Sequence, residues 1–118
     1  MMPKTVLAFV LGAAAASRLG CAASIPPPQG PWAAAQADVG RAEVGGALDV
    51  PEAKLHLRLA QEDLEKAKRI MGDDTDRATS LCDVASAEAQ LALTLAKQAN
   101  AQEQARRAQS QLENGSGK

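Results

Sequence analysis

The chain has 118 residues, 13 Lys and Arg against 14 Asp and Glu, a formal charge of −1, and aromatics at only 2 %. One Phe, one Trp and no Tyr exclude base-stacking nucleic-acid binding and an aromatic-rich core, and the balanced charge excludes electrostatic binding to a phosphate backbone. A single His and two Cys leave little for a metal site or a catalytic triad, whereas 26 alanines favour helix.

Residues 1–20 read as a secretory signal of the lipoprotein type. Lys4 supplies the positive n-region, and the apolar run from Val6 to Ala16 is long enough to engage export machinery but too short to span a bilayer. Leu19-Gly20-Cys21 follows directly and is similar to a bacterial lipobox, whose Cys becomes a diacylated N-terminus. Cys21 is therefore the expected lipidation site and membrane anchor. Arg18 departs from that pattern, because an aliphatic residue is usual there, and Cys21-Ala22-Ala23 also offers small residues for ordinary cleavage after Ala23. The two outcomes are an outer-membrane lipoprotein facing the periplasm and a soluble periplasmic helical binding protein or holdase. Either way Lys4 and Arg18 leave with the signal.

Residues 21–31 form the lipidated N-terminus and a tether. Pro26-Pro27-Pro28 and Pro31 favour polyproline II, which gives a semi-rigid spacer of about 25 Å.

From residue 32 to 112 the periodicity is helical throughout, so the expected fold is all-α: a short first helix and a long antiparallel helical hairpin. The first helix is expected from Pro31 to Val44, with Ala35, Val39 and Ala42 on one face and Gly45-Gly46 as its stop. The second is expected from Val50 to Met71, with Asp49 and Glu52 as a capping box. Its seam is Ala53, Leu57, Ala60, Leu64, Ala67 and Met71, and Glu62–Lys66 and Glu65–Arg69 are spaced as ion pairs on the other face. Gly72 ends it.

The third helix is expected to start at Asp73–Thr75 and run to about Leu112, with Asp73, Asp74 and Asp76 complementing its positive end. Ala78, Cys82, Ala85, Ala89, Ala92, Ala96 and Ala99 repeat at four and three, beside a larger seam of Leu81, Val84, Leu91 and Leu95 that Glu88 interrupts. At nearly twice the length of its partner, this helix outruns the hairpin, and Gln98–Leu112 is left as a solvated end or half of an interface. Residues 113–118 are expected to be a disordered tail. With so much Ala and so little Leu, Ile and Val, the core is thin, and a homo-oligomer or a coiled-coil protein partner is expected to complete it. The candidate interface residues are Leu81, Ala85, Leu91, Leu95, Ala99, Ala105 and Leu112.

Leu19-Gly20-Cys21, the proline run, the Ala-rich first helix and the hairpin Pro51-Glu52-Ala53…Leu57…Ala60…Leu64…Ala67, Gly72-Asp73-Asp74, Ala78…Ala92 resemble the bacterial domain-of-unknown-function family 4398. The resemblance implies a periplasmic lipoprotein, in some members fused to a peptidoglycan-binding domain, and implies no activity.

Sharper chemistry finds little support. Cys82 sits where a small buried residue belongs, and no electropositive neighbour activates it. His56 lacks a second ligand at metal spacing, and as a general base it lacks a nucleophile or an orienting carboxylate at suitable spacing, since Glu52 four residues earlier reads as a capping partner. The acidic run after Gly72 lacks the twelve-residue calcium-loop pattern. No catalytic residue, metal, cofactor, small-molecule substrate or nucleic acid is expected, and the chain is read as non-enzymatic. Trp32 is open to two roles, as a staple between the first helix and the hairpin or as a membrane-interface residue.

Overall fold

A computed structural model describes residues 30–117. The signal, Cys21 and the tether as far as Gln29 lie outside that range, whereas Gly30 and Pro31, expected as the end of the tether, are the first residues of α1. The described residues form three α-helices: α1 (Gly30–Val44), α2 (Pro51–Ile70) and α3 (Thr75–Ser116), with a 3-10 turn at Ala47–Asp49 between the first two. The all-α fold of a short helix followed by a hairpin is as the periodicity requires.

The hairpin closes along the two alanine seams. Ala53, Leu57, Ala60, Leu64 and Ala67 of α2 are buried against Ala78, Cys82, Ala85, Ala89, Ala92 and Ala96 of α3. Side chains this small let helix axes approach closely, and Leu57 and Cys82 are the largest of the fully buried side chains. Met71, the expected last member of the α2 seam, is exposed, because the helix ends at Ile70 and Met71 belongs to the turn. Ala99 is half-buried, since α2 no longer runs beside it.

Helix ends differ from the expected ones in instructive ways. Asp49 does not cap α2: it is taken up in the 3-10 turn, and Val50 occupies the cap position without a side-chain bond. Pro51 then starts the helix, its missing N–H falling where no partner exists anyway. The cap that forms is at α3, where Asp74 accepts a hydrogen bond from the Arg77 amide at 3.0 Å. Gly46 is the glycine whose freedom the connection needs. Its φ of +93° turns the chain from α1 into the 3-10 turn, and its amide donates to the Glu43 carbonyl at 3.2 Å. Gly72, in contrast, does not adopt a left-handed conformation; the α2–α3 turn is closed by the Asp73 and Asp74 amides, which both donate to the Ile70 carbonyl.

Lys66 pairs with Asp63 at 2.9 Å rather than with Glu62, and no ion pair joins Glu65 to Arg69 among the described residues. These surface charges contribute little in either arrangement.

α1 lies against both hairpin helices, presenting Ala35, Asp38, Val39 and Ala42. Trp32, partly buried, packs on the core as the staple role requires; its Nε1 is buried and has no hydrogen-bond partner among the described residues. Just past the end of α1, Gly45 lies so near α3 that a Cβ there would overlap the Leu93 side chain.

Candidate interaction surface

α3 has 42 residues and α2 has 20, which at 1.5 Å per residue is about 63 Å against about 30 Å. The surplus is at the C-terminal end. Past Ala99 the hairpin repeat of α3 continues as Glu103, Arg106, Ser110 and Glu113, so the seam turns polar where α2 ends. From Ala101 to Ser116 every residue is exposed except the half-buried Glu103. The helix also passes through Asn114 and Gly115 to Ser116 instead of stopping at Leu112. Side-chain bonds within the free end, Arg107 Nε to Glu103 at 2.9 Å and Gln109 Nε2 to Glu113 at 3.2 Å, support those last turns. The hydrogen bond from Arg107, its charge and that of Arg106 lower the Glu103 pKa below its ordinary value despite some desolvation.

A second repeat, apolar except at Thr94 and Gln98, runs along α3, nearly opposite the seam that faces α2. It comprises Val84, Ala87, Leu91, Thr94, Gln98, Ala101, Ala105, Ala108 and Leu112, spaced three and four, and every member is exposed. Val84 is 48 % exposed, Leu91 42 % and Leu112 75 %. Of the expected interface residues, Leu91, Ala105 and Leu112 therefore lie on one open stripe. Ala85 does not: it is fully buried in the hairpin, because the four-three repeat of small residues is the seam that faces α2. Leu81 and Leu95 are half-buried against the core and Ala99 sits at its margin, so these three belong to the flank of the hairpin.

Three polar side-chain contacts join the helices: an exposed one from Gln61 Nε2 of α2 to Glu43 Oε1 of α1 at 2.9 Å, and two that are more buried. Asp38 of α1 is buried at 7 % exposure. Its Oδ1 accepts from Arg41, and its Oδ2 accepts from Ser86 and, at 3.2 Å, from Gln90 of α3. Burial pushes its pKa up, but the hydrogen bonds from Ser86, Arg41 and Gln90 and the Arg41 charge together outweigh that and hold it below the ordinary value. Asp38 shares a face with Ala35, Val39 and Ala42, and Ser86 and Gln90 stand one turn apart beside the alanine seam; those spacings were the available signal. On the other flank the His56 Nδ1–H donates to Glu88 Oε2 at 2.6 Å. Glu88, which breaks the leucine seam of α3, is thus the partner of the lone His, a carboxylate that the spacing within α2 does not supply.

These contacts act as clasps. Both Asp38 oxygens are engaged, and the His56 nitrogen facing α3 is engaged by Glu88. Cys82 is buried, and burial followed by the nearby Asp83 charge pushes its thiol pKa up, away from the reactive thiolate. No group of three or more His, Cys, Asp or Glu side chains able to hold a metal occurs among the described residues. None of the described helices is long and apolar enough to cross a membrane.

The family model for the domain of unknown function DUF4398 matches residues 32–108, which takes in α1, α2 and most of α3. The chain belongs to that family. No curated protein and no solved structure matches it. The part of this DUF4398 chain that the family model covers ends within the free portion of α3, so the overhang is partly family sequence and partly beyond it.

Proposed function

We propose that this DUF4398 chain is a non-enzymatic cell-envelope lipoprotein that presents an Ala/Leu helical hairpin for self-association or partner binding. The anchor is an acylated Cys21 in the outer membrane facing the periplasm, and the prolines after it hold the hairpin off the lipid surface. The observation that carries the binding role is the mismatch between α3 and α2: an exposed helical end continuous with an exposed, mainly apolar stripe. A helix end that packs on none of the other described residues adds no core, and its regular apolar spacing suits a second helix. The engaged Asp38 and Glu88 carboxylates and the buried Cys82 thiol, its pKa pushed up by burial, support a structural rather than a chemical task.

Metabolic labelling with an alkyne fatty acid tests the anchor. The reading expects a labelled band that is lost in Cys21→Ala. An unlabelled, soluble periplasmic product beginning after Ala23 would replace it with the free binding protein or holdase.

A further inference from the structure

We propose that a second copy of this chain covers the outer stripe of α3, running antiparallel to the first about a two-fold axis between Gln98 and Ala101. The proposal rests on the hairpin reading above and names the partner for it. The two halves of the stripe match in length. From Val84 to Gln98 it lies on the part of α3 braced by the rest of the fold, and from Ala101 to Leu112 it lies on the free end, where Gly115, exposed at the next three-residue step, completes the second half. Folding one half of a second copy back on the other uses the whole exposed repeat and leaves neither half over.

Side-chain size fixes the direction. In the antiparallel arrangement every layer sets a larger residue against a small one: Val84 over Gly115, Leu91 over Ala108, Thr94 over Ala105 and Gln98 over Ala101, with Leu112 over Ala87. The layers then have similar volume, and two straight helices keep a constant separation along the seam. A parallel, in-register pair would instead stack Leu91 on Leu91 and Leu112 on Leu112 between Ala-on-Ala layers, which demands alternating separations. An isologous contact of this kind is closed, so it makes a dimer and not a filament.

Charge permits the approach. On the free end the four positions flanking the stripe are Gln102, Gln104, Gln109 and Gln111, while Glu103, Arg106, Arg107 and Glu113 lie on the far face. Glu88 and Lys97, which flank the braced half, would each meet a glutamine of the other copy, so no like charges are brought together.

Oxidative cross-linking of the full chain in cell envelopes tests direction and partner together, with the fatty-acid label read on the same samples. Gln98→Cys lies beside the axis and is expected to give a dimer. Leu112→Cys alone is expected to give only the wild-type background, since two copies of position 112 would be roughly 37 Å apart at 1.5 Å per residue. Ala87→Cys co-expressed with Leu112→Cys is expected to restore the cross-link. Adding Leu91→Glu to Gln98→Cys should reduce dimer at least about tenfold, because a carboxylate would be buried against Ala108. Efficient cross-linking of Leu112→Cys alone, or none at Gln98→Cys in lipid-labelled protein, would overturn the dimer while leaving the tethered hairpin intact. Loss of the label would strike the hairpin's anchor instead.

Discussion

Replacing Asp38 by Ala removes the clasp that fixes α1 to α3. The carboxylate is buried, carries its charge, and accepts from Arg41, Ser86 and Gln90. A hydrogen bond to a charged group contributes about 1.5–3 kcal/mol net, but Ser86 and Gln90 lie near the surface and recover water when the acceptor is lost. The expected cost is therefore about 2–3 kcal/mol in all, which for a domain of this size lowers the melting midpoint by roughly 10–20 °C. Trp32 makes the effect separable: it is the one Trp of the chain and it sits on α1 against the core. Urea unfolding followed by Trp fluorescence should shift to lower denaturant, ahead of the helical signal in far-UV circular dichroism, as α1 leaves the hairpin first. The pH dependence follows from the depressed pKa. The contribution of Asp38 is complete above the ordinary carboxylate value near 3.8 and is lost as pH falls through the lower folded value. Wild type and Asp38→Ala should differ most near neutrality and converge in strong acid. A difference below about 0.5 kcal/mol at pH 7, or one that persists undiminished in strong acid, would refute the clasp.

Other perturbations probe the remaining contacts. Ala60→Leu or Ala89→Leu places a large side chain where both residues are fully buried, and overpacking there should cost about 1–3 kcal/mol by chemical denaturation. Gly46→Ala forces a Cβ onto a left-handed backbone and should lower stability by about 1–2 kcal/mol, whereas Gly40→Ala, with open space around it, should be neutral or stabilising. The Cys82 thiol, buried and shifted up, should react with an alkylating reagent far more slowly in the native protein than in urea, as read by mass spectrometry.

The helices and their packed faces were written plainly in the chain because alanine spacing is a local signal. Ala53 to Ala67 and Ala78 to Ala96 bury as their four-three steps require, and the short α1 face of Ala35, Val39 and Ala42 does the same. What stayed hidden were choices decided between distant residues. Asp38 is separated from Ser86 by 48 positions and His56 from Glu88 by 32, so no spacing rule links either pair. The cap of α2 failed for a different reason. Asp49 has the right chemistry for a cap, but Gly46 turns the backbone early and draws it into a 3-10 turn, so geometry set three residues upstream overrides side-chain preference. The interface list erred at Ala85 because one helix carries two interleaved repeats. The denser one is consumed by the hairpin, and the sparser one, from Val84 to Leu112, is the one left open.

The division of α3 into a braced body and a free end is open to direct measurement by amide hydrogen exchange, resolved along the chain at a concentration low enough to keep copies apart. Amides of residues 53–67 and 78–96 should exchange slowly and together, and those from Ala101 to Ser116 should exchange orders of magnitude faster, with the change falling near Ala99. Uniform protection to Ser116 in the dilute protein, or slow exchange confined to the free end, would contradict the hairpin with an overhanging helix.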